Sequence, residues 1–302
     1  MALTKTLIVI VGPTGIGKTA LAIEVARHFS TEIISADSRQ FFKEMEIGTA
    51  KPSAEELAAA PHHFINSHSI QSLFSTGDFE LQAMERITQL FKKHQLLVMV
   101  GGSGLYIDAI CKGLDDLPET DLSIRTQLNF QLENEGLEAI KKQLSECDPE
   151  YYQKVDQANP QRMIRGLEFY LSTGTKLSAH FTNSVKTRPF NILKIGLNMD
   201  RSELYNRINL RVDRMMDSGL LEEVKELQAY KKYNALNTVG YSELFAYLDG
   251  ETTLKEAVDQ IKQNTRRFAK RQLTWFRRDD STVWFEPGQD DAVIDYIHKK
   301  TD

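Results

Sequence analysis

Residues Gly12-Pro13-Thr14-Gly15-Ile16-Gly17-Lys18-Thr19 fit G-x-x-x-x-G-K-[ST] in full. The pattern has a physical reading. Glycines let backbone N–H groups converge on a phosphate with no Cβ in the way. A helix opening at the loop adds the positive end of its dipole. Lys18 supplies a mobile cation, and the Thr19 hydroxyl can ligate magnesium. The motif therefore specifies a polyphosphate, and does not by itself specify a nucleotide. A second chemical candidate follows at Asp37-Ser38-Arg39-Gln40. A carboxylate beside a bound polyphosphate can hold magnesium or act as a general base. The alternative is an aspartate that caps the next turn of chain.

A third candidate is a run of cations. From Lys262 to Arg278 there are seven basic residues and no acid: Lys262, Arg266, Arg267, Lys270, Arg271, Arg277 and Arg278. Phe268, Trp275 and Phe276 lie among them. The pairs Arg266/Lys270 and Arg267/Arg271 set like charges one helical turn apart, which a polyanion would compensate. Aromatics at that spacing can stack on bases or simply fill a core. Gln161, Arg162 and Arg165 cluster at the start of another helix, and Arg207, Arg211 and Arg214 share a face of a third. Together they outline contacts for something larger than a nucleotide. The adjacent pair His62-His63 points to opposite sides of any regular element, so a metal pair is disfavoured. Cys111 and Cys147 lack zinc or disulfide spacing and read as small buried apolar groups in a reducing, cytoplasmic compartment.

The elements that must position these groups can be read from periodicity. Leu7 to Val11 is a continuous apolar, β-branched run ending in glycine, the mark of a strand buried on both faces. A helix carrying Leu21, Val25 and Phe29 should follow it. Glu32 to Ala36 reads as a second strand ending at Asp37. A helix from Phe79 to Lys93 precedes a third strand, Leu96 to Val100, which exits into Gly101-Gly102-Ser103-Gly104. Strands alternating with helices imply a doubly wound α/β domain with a parallel sheet, of the P-loop NTPase-like type. Its three strand exits should face one crevice. Between 119 and 186 helical periodicity takes over, with Asn159-Pro160 as a helix start. That segment reads as an all-helical subdomain inserted into a core made of 1–118 and 187–302. Asn191 to Met199 and Thr282 to Glu286 complete the sheet, with helices between them.

Composition bounds the remaining choices. The 302 residues carry 42 acids against 37 bases, for a net charge of −5. A uniformly basic nucleic-acid coat is excluded, whereas a local basic patch is not. The opening apolar run is too short for a signal core or a membrane span, so no membrane partner is expected. The third strand ends without an acid to hold magnesium, which counts against an ordinary NTPase or small-molecule kinase.

Taken in order, the motifs resemble the tRNA dimethylallyltransferase family, also called the tRNA isopentenyltransferase or IPP transferase family, in its bacterial type. The resemblance rests on Gly12 to Thr19, Ala36 to Gln40, Ile47-Gly48-Thr49-Ala50-Lys51-Pro52, His62-His63 and Gly101 to Tyr106. It continues through Pro160-Gln161-Arg162, Val239-Gly240-Tyr241 and Lys270 to Arg277. It implies that the P-loop grips the diphosphate of dimethylallyl diphosphate. The dimethylallyl group would pass to the exocyclic amine of the adenosine 3′ to the anticodon, in tRNAs reading codons that begin with U. On the same resemblance Asp37, Thr19 and Arg211 are the catalytic set, with Mg2+ as cofactor on Thr19. The anticodon stem-loop would meet Asp37 to Gln40, Ser103, Arg125, Gln161, Arg162, Met163, Ile164 and Arg165, and then Lys270, Arg271, Trp275 and Arg277. A monomer is expected. Three positions depart from the family pattern: Ser103 where threonine is usual, Phe42 where tyrosine is usual, and Asn66 where an aspartate is usual. Three rival readings remain at this stage: the same transfer to free AMP or ATP, an ATP-dependent kinase, and a nucleotide-switched RNA-binding module.

Overall fold

A computed structural model describes residues 5–182 and 184–301. Six strands form one parallel sheet: β1 (Thr6–Val11), β2 (Ile33–Ser35), β3 (His62–His63), β4 (Leu96–Gly101), β5 (Asn191–Leu197) and β6 (Val283–Phe285), in the order β3-β2-β4-β1-β5-β6. The helices are α1 (Lys18–His28), α2 (Ala54–Ala59), α3 (Thr76–Leu90), α4 (Gly104–Cys111), α5 (Leu122–Glu135), α6 (Leu137–Cys147), α7 (Pro149–Lys154), α8 (Pro160–Thr173), α9 (Arg201–Asp217), α10 (Leu220–Glu226), α11 (Tyr241–Leu248), α12 (Leu254–Phe276) and α13 (Asp290–Thr301). The expected parallel α/β sheet is present, with one strand more than periodicity revealed. That strand is β3, two residues at the sheet edge, too short to show a period.

Both faces of the sheet are covered. Along β1, Leu7, Val9 and Val11 enter one core, while Ile8 and Ile10 enter the other. The first core also receives Phe79, Ile107, Leu244 and Phe276; the second receives Val25, Ile208 and Ala269. This division explains the unbroken apolar runs, since a strand covered on both sides has no polar face.

Register fixes the carboxyl edge. Val11 pairs with Gly101 of β4 and with Gly196 of β5, and Ser35 pairs with Val100. The ends of β1, β2 and β4 are therefore level, and their exits open side by side. At Gly101 an added Cβ would lie 2.2 Å from the Ala36 carbonyl oxygen, so only glycine lets these strand ends approach.

The chain divides into two compact units, Met1–Lys112 with Thr187–Asp302, and Gly113–Lys186. The sequence placed the first boundary a few residues later, at 118. The second unit holds α5 to α8 around its own core of Leu128, Ile140, Leu144, Met163, Ile164 and Leu167. Asp148 and Asn159 cap α7 and α8, each followed by proline at the first turn.

Candidate active site

The phosphate loop leaves β1 and turns into α1. Gly15 and Gly17 take positive φ values of 79° and 109°, which a side chain would strain. Gly17 sits just before α1, so the first amides of that helix face the loop. A crevice of about 580 Å³ opens there. It is lined by Lys18, Thr19 and Asp37, by the glycines at the end of β4, and by Arg207, Arg211 and Arg214 of α9. The three expected strand exits thus do share one cavity. Ala50, Pro52, Ile65, Leu210 and Phe268 give part of its wall an apolar surface.

Lys18 is the cation at its base. Burial, then the nearby Arg211 charge, push its ammonium down from 10.5 to about 7, with Asp37 acting in the opposite sense. Its Nζ donates to the Pro13 carbonyl at 2.9 Å. Burial also lowers the Arg211 guanidinium, against the charges of Asp37 and Glu56. No carboxylate lies within ion-pair distance of Arg211 among the described residues. Two partly buried cations facing one cavity suit an anionic ligand, which would favour their charged forms.

Asp37 does two things. Its Oδ1 accepts the backbone N–H of Arg39 at 2.9 Å and of Gln40 at 3.3 Å, which shapes the turn after β2. The capping alternative is therefore real for one oxygen. Among the described residues the other oxygen has no hydrogen-bond partner, and Asp37 lines the crevice. Gln40 spans the loop to the carbonyls of Thr49 and Ala50 at 3.3 and 3.1 Å. The Ser103 hydroxyl accepts the Ser38 N–H at 2.9 Å, so serine suffices where threonine is usual.

A magnesium ion fits this donor set only together with a ligand. Thr19 offers a hydroxyl and Asp37 a carboxylate, both hard oxygens. The described residues hold no group of three or more metal-binding side chains, so the remaining ligands would come from phosphate oxygens and water.

The other expected contact residues separate by exposure. Arg39 donates to the carbonyls of Ser38 and Asn234, and burial lowers its guanidinium. Lys270, Arg271 and Arg277 are exposed on α12, whereas Arg266 bonds Asn209 at 2.6 Å and Lys262 pairs with Asp213 at 2.5 Å. Two of the seven cations thus tie α12 to α9. Trp275 is half-buried, and its indole N–H donates to Asp108 at 3.1 Å. Its ring lies over Gly104, where a Cβ would come within 2.4 Å. It is a packing residue, not a free stacking platform.

In the helical unit Gln161 and Arg162 are exposed, but Met163 and Ile164 are fully buried. Their side chains hold the helical core and cannot touch RNA. Arg125 grips Glu168 through two hydrogen bonds, at 3.0 and 2.6 Å, with Arg165 at 3.5 Å from the same carboxylate. Arg125 and Arg165 are thus partly committed within the unit.

Two residues that sequence reasoning did not single out organise the backbone around the crevice, Glu223 the loop after Asp37 and Gln272 the phosphate loop. Glu223 accepts the N–H groups of Glu46, Ile47 and Gly48 at 3.1, 2.7 and 3.1 Å, and the Tyr241 hydroxyl at 2.5 Å. Gly48 lies against the Tyr241 ring, which explains why both short motifs carry glycine or tyrosine. Gln272, buried on α12, accepts from Thr14 and donates to Gly102. Glu223 has no local sequence signal, and the motif Lys270 to Arg277 contains Gln272 without showing its partners, because each acts on backbone far away along the chain. Asn66 accepts from the buried Lys51 ammonium at 2.5 Å, and Lys51 also donates to the Phe42 carbonyl at 2.7 Å. The usual acid at this position would meet Lys51, not a metal. Phe42 itself is packed in the first core. His62 bonds the Ala60 carbonyl through Nδ1 and lines the crevice, while His63 bonds Glu32, each at 2.7 Å, so the two rings serve different surroundings and form no metal pair.

Comparison with known proteins agrees over the whole length. The pattern of the IPP transferase family matches residues 40–279. A tRNA dimethylallyltransferase of Christiangramia forsetii is 54% identical over 299 residues, covering 99% of each chain. The chain belongs to the IPP transferase family. Another member, tRNA dimethylallyltransferase 1 of Bacteroides fragilis, is 47% identical over 97% of each chain. The full-length tRNA isopentenylpyrophosphate transferase of Bacillus halodurans superposes with a TM-score of 0.72 at 37% identity, covering 98% of this chain and 97% of that one. A eukaryotic dimethylallyltransferase acting on tRNA reaches 0.78 at 28% identity, covering 94% of this chain and 74% of its own. As an IPP transferase family member the chain is a prenyl-transferring enzyme with the family's P-loop core.

Proposed function

We propose that this chain transfers the dimethylallyl group of dimethylallyl diphosphate to the exocyclic amine of the adenosine 3′ to the anticodon, in tRNAs reading U-initial codons. The observation that carries the reading is the crevice in which the P-loop, Lys18 and Arg211 face Asp37. The loop amides, Lys18 and Arg211 would hold the diphosphate, and Ala50, Pro52, Ile65 and Leu210 offer an apolar wall for the prenyl chain. An adenine amine is a weak nucleophile, so the allylic carbon must carry positive character as the C–O bond breaks. The electron pair leaves with the diphosphate, whose growing charge Lys18 and Arg211 would offset. The C–N bond forms at the amine, and the proton it loses passes to the free oxygen of Asp37. Thr19 would help to hold magnesium, which would supply further neutralisation of the leaving group's charge. Arg39, Gln40 and Ser103 would position the acceptor loop, and the exposed Lys270, Arg271, Arg277, Gln161 and Arg162 would bind RNA phosphates. The target base must turn out of its stack to enter. A cytoplasmic, monomeric enzyme is part of the same reading.

The test is a transfer assay with magnesium and labelled dimethylallyl diphosphate. Unmodified anticodon stem-loop RNA and free AMP are offered separately. Label in the RNA alone is the expected result. Label in AMP would move the acceptor to a free nucleotide, and ATP hydrolysis with no labelled product would overturn the prenyl reading.

A further inference from the structure

Gln272 lies at 6% exposure on the inner face of α12, where its carboxamide joins two strand exits. Its Oε1 accepts the Thr14 N–H at 2.8 Å. Its Nε2 donates to the Gly102 carbonyl at 2.8 Å. A carboxamide can do both at once, accepting at one end and donating at the other. The Thr14 N–H belongs to a peptide unit whose other end is the Pro13 carbonyl, the acceptor of Lys18 Nζ at 2.9 Å. That unit is planar, with N–H and C=O pointing opposite ways. Holding one end aims the other.

We propose that Gln272 is a positioning residue for diphosphate binding: it locks the phosphate loop to the end of β4 and fixes the peptide on which Lys18 rests. The inference depends on the crevice being the diphosphate site, as proposed above. It assigns Gln272 a task distinct from that of the cations on the same helix. Lys270 and Arg271 are exposed, whereas Gln272 faces inward.

Gly102 provides an independent handle on the same contact. Its backbone lies outside the left-handed region, so alanine is conformationally allowed. A Cβ there would stand 2.3 Å from Gln272 Nε2, with its next neighbours at ordinary contact distances. Gly102→Ala should therefore rotate the carboxamide away while leaving residue 272 intact. If Gln272 is already alanine, the added methyl meets nothing that must move.

The experiment measures magnesium pyrophosphate binding and stem-loop RNA binding by calorimetry, for the wild type, Gln272→Ala, Gly102→Ala and the double variant. Losing a hydrogen bond of ordinary strength should weaken pyrophosphate about tenfold in each single variant. Stem-loop affinity should stay within about twofold, and the double variant should be no weaker than Gln272→Ala alone. The KM for dimethylallyl diphosphate should rise in parallel. Gln272→Met, which keeps the volume, serves if the alanine variant fails to fold. Unchanged pyrophosphate affinity in a folded variant would overturn the proposal. So would an equal loss for both ligands, which means α12 has shifted as a body, or additive effects in the double variant. The wild type separates this from the parent reading. Pyrophosphate binding without label transfer to RNA would sink the assigned acceptor and leave the positioning test standing, whereas no pyrophosphate binding at all would sink both.

Discussion

At the residue scale the chemistry turns on few groups. Replacing Asp37 with asparagine, which keeps an acceptor for the Arg39 and Gln40 amides, should lower kcat by about 10²- to 10⁴-fold, the usual contribution of a general base, while stem-loop affinity is kept. Single-turnover kinetics beside a filter-binding titration would check both halves. Lys18 carries a proton-linked signature. Its ammonium is held down to about 7 by burial first and by Arg211 second. A bound diphosphate favours the charged form, so binding above pH 7 should take up a proton, and affinity should fall as pH rises towards the ordinary lysine value. Binding enthalpies in buffers of different ionisation heat would show the uptake, and Lys18→Met should abolish it. These two residues were legible because the motif and the strand exit name them. Gln272 and Glu223 were not. Their work is to satisfy amides hundreds of residues away, and nothing in the flanking sequence shows which backbone a buried amide or carboxylate will meet.

At the element scale the sheet was legible wherever a strand ran for five residues or more. β1 and β4 carry unbroken apolar runs and end at glycines, while β5 keeps Ile192, Leu193, Ile195 and Leu197 around a single lysine. β3 escaped because two histidines at an edge have no period, although they end the loop that closes the crevice. That loop hangs on Glu223. Glu223→Ala would leave the amides of residues 46 to 48 without their acceptor, at a cost of about 1–3 kcal/mol. Faster hydrogen exchange at those amides, with the exchange of β1 unchanged, is the expected outcome. Within the helical unit the same logic assigns Arg125 to Glu168. Burial raises the Glu168 carboxyl, but the hydrogen bonds from Arg125 and the charges of Arg125 and Arg165 outweigh it and hold it below its ordinary value of 4.5. A depressed carboxyl stabilises the fold above its unfolded value, and that support is lost as pH falls through the lower folded one. Acid should therefore melt the wild-type unit with a pH dependence that Arg125→Ala diminishes. The readout is helical circular dichroism of the full chain against pH. Sequence alone misread Met163 and Ile164 here, since a contiguous binding segment on a helix always turns some of its members into the core.

At the scale of the whole molecule a mildly acidic chain gathers Lys18, Arg207, Arg211 and Arg214 around one cavity. Net charge said nothing of this, because the arrangement depends on α9 packing against the phosphate loop, with Ile208 beside Gly15 and Arg207 beside Gly17. Steering by such a local field is screened by salt. The on-rate for stem-loop RNA should thus fall as ionic strength rises, and Lys270→Glu with Arg271→Glu should flatten that dependence in stopped-flow measurements.

The contact between Thr14 and Gln272 also has a consequence in time. The two residues are separated by 258 positions. On the ribosome the phosphate motif is made long before β5, the strand from Asn191 to Leu197 that pairs with β1. The loop cannot take its final shape until α12 has emerged and docked. A nascent chain that holds the whole P-loop but not yet α9 and α12 accordingly lacks Arg211 and Gln272, and its diphosphate site is completed only when those helices have been made and docked.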